Sequence, residues 1–486
     1  MQALFRHRQP RRAGQTPLLA LVLLLSGCAV GPAFHAPKLV NPARFVSAPQ
    51  DAPPHWPSAA WWRAFGSAPL DHFISEAERH NFSIRVAAAQ LEAANANAEI
   101  AGAPLLPAVS ASGNAQWQRI PHPGPATGTL AAGGHTPSPF YGASAQISYM
   151  VDLWGKNRDA LRQALADAQA SRFNRDAVAL TEVTAVATTW FQILADRDAL
   201  AIGLRNLTAA TTLLTQLKAE FVAGTVDAVT VAQQSALVAS ERANIPVLRS
   251  QLRQETLSLG ILIGRAPESL TIPQETIASL KVPRLMPGLP SSLLRRRPDI
   301  AQAQANLIAA NAGVRAAIAS FFPSITLTGS ANESSAALDT LLAPGSLLLN
   351  AAASATQPLF EGGRLTGNLA VSRAVYEEDV ATYEETVIGA FTDVETSLTA
   401  LHYATIQERR EAEAVREAHR ALAAVRAQLN AGIVDVSAVL TAEETLLGDE
   451  NNYTQAELTR LDAAIHLYQA LGGGWHLRRR LGRTGS

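Results

Sequence analysis

The chain has 486 residues, 6% of them aromatic, with three methionines, one cysteine and a formal net charge of −1. Alanine and leucine dominate, which suits long helices packed through small side chains rather than a bulky globular core. The near-neutral, scattered charge excludes the electrostatic footprint of a nucleic-acid binder; the basic runs Arg295-Arg296-Arg297 and Arg478-Arg479-Arg480 read as solvated ends.

The N-terminus reads as a cleavable signal. Arg6, Arg8, Arg11 and Arg12 precede an apolar run from Leu18 to Leu25, and Ser26-Gly27 lead into the lone Cys28. The run is shorter than the ~20 apolar residues that span a bilayer. Cleavage before Cys28 predicts a lipid anchor, S-diacylglycerol on the sulfur and N-palmitoyl on the new amine. Several chains are needed, since each buried CH₂ contributes ~0.8 kcal/mol and one chain alone is marginal. A single cysteine in an exported chain has no disulfide partner. Ala29, where some bacterial lipoproteins have aspartate, implies by that resemblance passage to the outer membrane. No later stretch is expected to form a transmembrane helix, so any spanning segment would be β-strand.

Two alternating segments follow. Val109, Ala111, Gly113, Ala115 and Trp117 form an apolar face opposite Ser110, Ser112, Asn114, Gln116 and Gln118. Tyr141, Ala143, Ala145, Ile147, Tyr149 and Val151 lie opposite Gly142, Ser144, Gln146, Ser148 and Asp152. Strands of ~10 residues with one apolar and one hydroxyl or amide face fit a water-filled membrane barrel, and Trp117, Tyr141 and Tyr149 fit its aromatic girdles. A soluble sandwich with one wet face fits the alternation alone equally well. The segment from Arg119 to Pro139 reads as an exposed loop, with His122 and His135 solvated rather than metal-binding. From Gly155 to about Val222 no proline occurs, and Leu161, Leu165, Ala168, Phe173, Val183, Val186, Trp190, Ile193 and Leu194 recur at helical spacing. Such a helix would run roughly 100 Å. A return helix from Val226 to Leu262 and a proline-rich connector follow, and Pro298-Asp299 marks the start of a helix to Ser320.

The second half repeats the first. Phe321-Phe322-Pro323-Ser324-Ile325 matches Leu105-Leu106-Pro107-Ala108-Val109, and Leu307 to Ala312 matches Leu91 to Ala96. Ala223-Gly224-Thr225-Val226-Asp227 matches Ala431-Gly432-Ile433-Val434-Asp435, and Leu262-Ile263-Gly264 matches Ala470-Leu471-Gly472. The repeat supplies two more strands. Ile325, Leu327, Gly329 and Ala331 oppose Ser324, Thr326, Thr328 and Ser330; in a weaker one Leu349, Ala351, Ala353 and Ala355 oppose Asn350, Ser354 and Thr356. The segment from Asn332 to Ser346 reads as the second tip loop, and Gly362 to about Asn430 as the second long helix. Four strands cannot close a barrel, and open edges are not tolerated in lipid, so several chains must pool their strands.

Cys28-Ala29-Val30-Gly31-Pro32, Trp61-Trp62-Arg63-Ala64-Phe65 and Leu289-Pro290-Ser291-Ser292-Leu293-Leu294-Arg295-Arg296-Arg297-Pro298-Asp299-Ile300 resemble outer-membrane efflux lipoproteins of the TolC superfamily, in the NodT-like branch. The resemblance covers nearly the whole chain after the signal. It implies a mainly α channel-tunnel with a small β part: a homotrimer with a twelve-stranded barrel and a long periplasmic helical barrel. Its division is a signal over 1–27, a lipidated extended segment over 28–69, a first repeat over 70–264, an equatorial connector over 265–297, a second repeat over 298–472 and a polar tail over 473–486. The implied function is the passive exit duct of a tripartite pump for drugs or other small toxic compounds. Its implied partners are outer-membrane lipid, a periplasmic adaptor and an inner-membrane transporter.

Gly224, Thr225, Val226 and Asp227, with Gly432, Ile433, Val434 and Asp435, interrupt the helices where the tunnel should end. Glycine suits a left-handed helix end and aspartate the next helix start; the resemblance adds adaptor docking at the same turns. Relatives can narrow the aperture with acids, but the turns before Gly432 hold none until Glu417, so no gate is assigned. An enzyme is not expected, since no nucleophile elbow, phosphate-binding glycine loop or metal pair at helical spacing occurs, and no cofactor is expected beyond the lipid on Cys28. A type I protein-secretion duct and a lipid-anchored coiled-coil structural protein are the alternatives, and the latter leaves the four strands unexplained.

Overall fold

The computed structural model describes residues 30–37, 39, 42–48, 56–121, 135–266, 268, 270–283 and 288–475. Cys28, His122 and the run Arg478-Arg479-Arg480 lie outside these. A 3-10 turn at Trp61–Phe65 leads to α1 (Ala68–His80), α2 (Phe82–Gly102), β1 (Ala108–Pro121), β2 (His135–Val151), α3 (Lys156–Val222) and α4 (Ala228–Leu262). The second copy adds α5 (Pro298–Ala319), β3 (Ser324–Ser335), β4 (Leu347–Thr356), α6 (Arg364–Asn430) and α7 (Val436–Ala470). The duplication is exact in the length of the long hairpin helices: α3 and α6 have 67 residues each, and α4 and α7 have 35 each.

The chain divides into two units. The first holds the sheet and comprises the described residues within 30–36, 93–168 and 305–380. Its four antiparallel strands are ordered β1-β2-β3-β4. Where β2 ends, Asp152 accepts bonds from the Asn157 and Arg158 amides at 3.1 and 2.9 Å, which satisfies the first free donors of α3. Asp159 is fully buried and pairs with Arg162 at 2.6 Å and with Arg315 of α5 at 3.2 Å, tying the two copies together. Trp154 stacks on Phe322 at 4.9 Å and donates to the Pro323 carbonyl at 2.8 Å, joining the β2–α3 link of the first copy to the α5–β3 link of the second.

The second unit comprises the described residues within 37–92, 169–304 and 381–475. Its core is aromatic: Trp61 stacks on Tyr468 at 4.9 Å, Phe65 meets Phe191 at 5.2 Å, and Phe73 meets Trp190 at 5.2 Å. Ser67 caps α1 and binds this core, accepting from the Leu70 amide at 3.3 Å and from the Trp190 indole at 3.2 Å while donating to Glu275 at 2.6 Å. Of the apolar positions expected along α3, Val183, Val186, Trp190, Ile193 and Leu194 are buried, whereas Leu165 is 53% exposed.

Four expectations need correction. The tip loops are shorter than the segments from Arg119 to Pro139 and from Asn332 to Ser346, because β1 pairs with β2 out to Pro121 and His135, and β3 runs to Ser335. Residues 135–140 pair with β1 alone among the described strands, an edge position that tolerates the prolines 137 and 139. Arg297 is no solvated end: its side chain is 12% exposed and pairs with Asp299 at 2.6 Å and Asp393 at 2.8 Å. Arg296 lies 4.4 Å over the Trp56 ring, so only Arg295 of that run stands exposed. Helix α3 also carries an 18-residue window with mean hydropathy 1.3, enough by length and composition to cross a membrane. Its apolarity serves packing, since the buried residues from Val183 to Leu194 line the aromatic core.

Candidate functional site

The sheet is the first functional surface. Its register aligns the apolar positions across all four strands: Val109 faces Ile147, Ile147 faces Gly329, and Gly329 faces Ala351. A second such row runs Ala111, Ala145, Ala331, Leu349. The intervening row Ser110, Gln146, Ser330, Asn350 is polar, and in the next Ser112, Ser144 and Asn332 lead to Leu348, with Ser112 and Ser144 sharing a hydrogen bond at 2.8 Å. A one-residue slip would mix the faces, so the apolar set itself fixes the register. Among the described residues the apolar side stands open: Val109 is 74% exposed and Leu349 71%. Trp117 and Tyr141 stand near one end of the strands and Tyr149 near the other, bracketing the apolar band. The outer edges of β1 and β4 pair with no strand among the described residues. An uncovered apolar face bracketed by aromatics belongs in lipid, and a hydroxyl- and amide-lined opposite face belongs in water.

The two helix turns are the second surface, and their backbones superpose in logic bond for bond. Gly224 adopts φ 77° and Gly432 φ 71°, the left-handed region that a side chain disfavours. The Gly224 amide donates to Phe221 at 3.0 Å and the Thr225 amide to Glu220 at 3.0 Å; the Gly432 and Ile433 amides donate to Leu429 and Gln428, both at 2.9 Å. That double bond pattern closes the end of α3 and of α6. Asp227 then accepts from the Thr230 amide at 2.8 Å and Asp435 from the Ala438 amide at 3.3 Å, starting α4 and α7. These bonds hold both carboxyls below the usual carboxylate range, led by the Thr230 amide for Asp227 and by the Ser437 hydroxyl for Asp435.

Val226 and Val434 are half-buried, while Gly224, Thr225, Asp227, Gly432, Ile433 and Asp435 are exposed. Val226 packs against the cluster of Leu217, Val436 and Leu440, so the first turn is braced by the second hairpin. With every cap bond made internally, the exposed atoms of the turns are free to meet a partner. Sequence reasoning missed the Arg297 ion pairs, of whose partners Asp393 lies 96 residues away in the chain, and a polar cavity between the hairpins. Among the described residues no cluster of His, Cys, Asp or Glu could hold a metal.

The profile of the family named Outer membrane efflux protein matches residues 73–265 and 289–473, one stretch in each copy. The chain belongs to this family. It is 35% identical over 459 residues to the pyoverdine export outer membrane protein OpmQ of Pseudomonas aeruginosa, covering 94% of this chain and 96% of that one. It is 30% identical to the toluene efflux pump outer membrane protein TtgF of Pseudomonas putida, again covering 94% and 96%. The open-state MtrE outer membrane channel of Neisseria gonorrhoeae superposes with a TM-score of 0.82 at 28% identity, covering 92% of this chain and 98% of that one. The family has a TolC-like channel fold, and this member is an outer-membrane efflux channel.

Proposed function

We propose that three copies of the chain close a twelve-stranded barrel in the outer membrane and form the passive exit duct of a tripartite pump. The observation that carries this reading is the four-stranded sheet with two free edges and an uncovered apolar face. Lipid offers no partners to open strand edges, so closure must come from further copies. Cys28, acylated after signal cleavage, anchors each copy. The turns at Gly224 to Asp227 and Gly432 to Asp435 dock a periplasmic adaptor, which links the duct to an inner-membrane transporter. The cargo is a small molecule: the relatives' names range from pyoverdine export to toluene efflux, which supports a duct that discriminates weakly while its transporter selects. The protein works without catalysis of its own.

Native mass spectrometry of the full chain extracted from outer membranes tests the assembly. A mass of three acylated chains is expected, and a monomer would overturn it. In the same cells Cys28→Ser is expected to lose radiolabelled palmitate while the trimer persists, because the barrel keeps its own apolar belt.

A further inference from the structure

The two hairpins of the sheet share one backbone plan. Ala108 pairs with Ser148, and Ser324 and Thr356, which lie 216 and 208 residues further along, pair in the same way. The 208-residue step continues into the helices. Gly155 and Gly363 adopt φ 83° and 88°, and their carbonyls accept from the Asp159 and Gly367 amides at 2.8 and 2.9 Å. The equivalence of β1 with β3, and of β2 with β4, thus holds in register and in the links to the long helices alike.

Between the two hairpins the chain holds one junction, where β2 pairs with β3 and Ala145 stands opposite Ala331. Moved by the same two steps, that junction sets Ala353 of β4 opposite Ala115 of β1. Both residues lie on strands whose outer edges pair with nothing among the described residues, at opposite ends of the sheet. The β1 that meets β4 therefore belongs to another copy, and such a head-to-tail contact generates a ring. The faces agree in this register. Ala351, Ala353 and Ala355 meet Trp117, Ala115 and Gly113 of the partner subunit on the apolar side, while Ser354 and Thr356 meet Asn114 and Ser112 of the partner subunit on the polar side.

A second observation does not depend on the ladder. Leu359 and Phe360, just past β4, are 92% and 90% exposed, and Val109 at the start of β1 is exposed too. The residue equivalent to Leu359 is Val151, half-buried opposite Ile325. The same two steps turn that pair into Leu359 opposite Val109 of the partner subunit, so the apolar residues left bare at the two edges come together. Within the chain the junction also carries the Asp159–Arg315 ion pair and the Trp154–Phe322 stack. The equivalent positions hold Gly367 with Glu99 and Gly362 with Leu106, which can make neither.

We propose that β4 of each copy pairs with β1 of the next in the register of β2 with β3. Leu359 against Val109 of the partner subunit seals this seam, in place of the ion pair and the aromatic stack that join the hairpins within a chain. The inference rests on the barrel reading and adds to it the register and the apolar seal.

Cysteine cross-linking of the full-length protein in outer membranes reads the register. Ala353→Cys with Ala115→Cys, and Ser354→Cys with Asn114→Cys, should give covalent trimer on oxidation. Neighbouring rows of an antiparallel ladder alternate between closer and wider pairs, so one of the two has the closer spacing. A two-residue shift separates the Cβ atoms by ~7 Å, beyond disulfide reach, so Ala353→Cys with Gly113→Cys or Trp117→Cys should give about tenfold less. Ala145→Cys with Ala331→Cys, at the junction within the chain, shows whether the oxidant reaches the sheet. Stronger cross-linking at a shifted pair, or none at the proposed pairs while the within-chain pair closes, would overturn the register and leave a trimer mass and the barrel reading standing; a monomer mass would overturn both. For the seal, Leu359→Ser should lower the temperature at which the trimer dissociates, whereas Leu338→Ser, also exposed but in the turn before β4, should not. Equal behaviour of the two would remove Leu359 from the seam.

Discussion

The sheet and the hairpin turns solve the same problem, what to do with backbone and apolar surface at an extremity, in opposite ways. The turns meet much of their hydrogen bonding within a few residues, through the Gly224 and Gly432 caps and the Asp227 and Asp435 bonds. The sheet leaves two edges unpaired and its apolar face open. A region that satisfies itself can remain on display for a transient partner, whereas one that does not must be completed by a permanent one. Substitutions should therefore be punished in the sheet through assembly and in the turns through function.

The largest effect is expected on the apolar face. Ala145 lies mid-strand, between Ala111 and Ala331. Ala145→Arg places a charge toward lipid near the bilayer centre, at a cost of ~2–4 kcal/mol per chain. Heat-modifiable trimer in the outer-membrane fraction should fall sharply, while Ser144→Arg, on the wet face, should leave trimer in place. Equal loss in both would mean that the assignment of the faces is wrong.

Next comes the helical region. Burial pushes the Asp462 carboxyl of α7 up to about 7, and its Oδ1 has no partner. Its folded form thus holds a proton that the unfolded form releases near pH 4. Between those values the native state binds more protons, so stability contributed by this group falls as pH rises from about 4 through 7. Asp462→Asn should flatten that decline and raise Tm at pH 8 relative to wild type, with little difference at pH 4. A parallel shift at both pH values would exclude titration of Asp462 as the cause.

Much of this was legible in the sequence because it is local or repetitive. Period-two alternation marked all four strands, and the duplicated Gly-x-Val-Asp marked both turns. Helix 156–222 lay open to reading from its unbroken spacing. The parts that were not legible depend on contacts between distant residues. The hairpin of β1 and β2 runs further than its prolines suggested, because pairing on one side tolerates a residue without an amide hydrogen. Arg297 looked like one charge among three until Asp393, nearly a hundred residues on, supplied its partner. The polar cavity draws on four helices, and no period in any single helix announces it.

At the turns themselves, function and stability should separate. Gly224→Trp with Gly432→Trp forces a side chain into the left-handed region at each turn, at ~1–2 kcal/mol per site. No atom lies within 4 Å of a Cβ added at either glycine, so the indoles project outward without a clash. Trimer should persist while toxicant susceptibility rises to that of a deletion strain. Normal resistance with normal trimer would show that the turns are helix caps and nothing more.

The finest test exploits the one side-chain difference within the duplicated motif. Thr225 adds a hydroxyl bond to the Glu220 carbonyl at 3.0 Å, and at the equivalent position Ile433 stands 71% exposed. Because the Thr225 amide already bonds the same carbonyl, the hydroxyl is a supplement to a closed cap. Thr225→Ile should change stability by no more than ~0.5 kcal/mol, as for surface substitutions generally. Ile433→Thr should behave alike in stability but removes an exposed apolar contact. If the second turn meets its partner through that side chain, Ile433→Thr lowers resistance and Thr225→Ile does not; equal resistance in both would assign docking to the backbone and the capping aspartates.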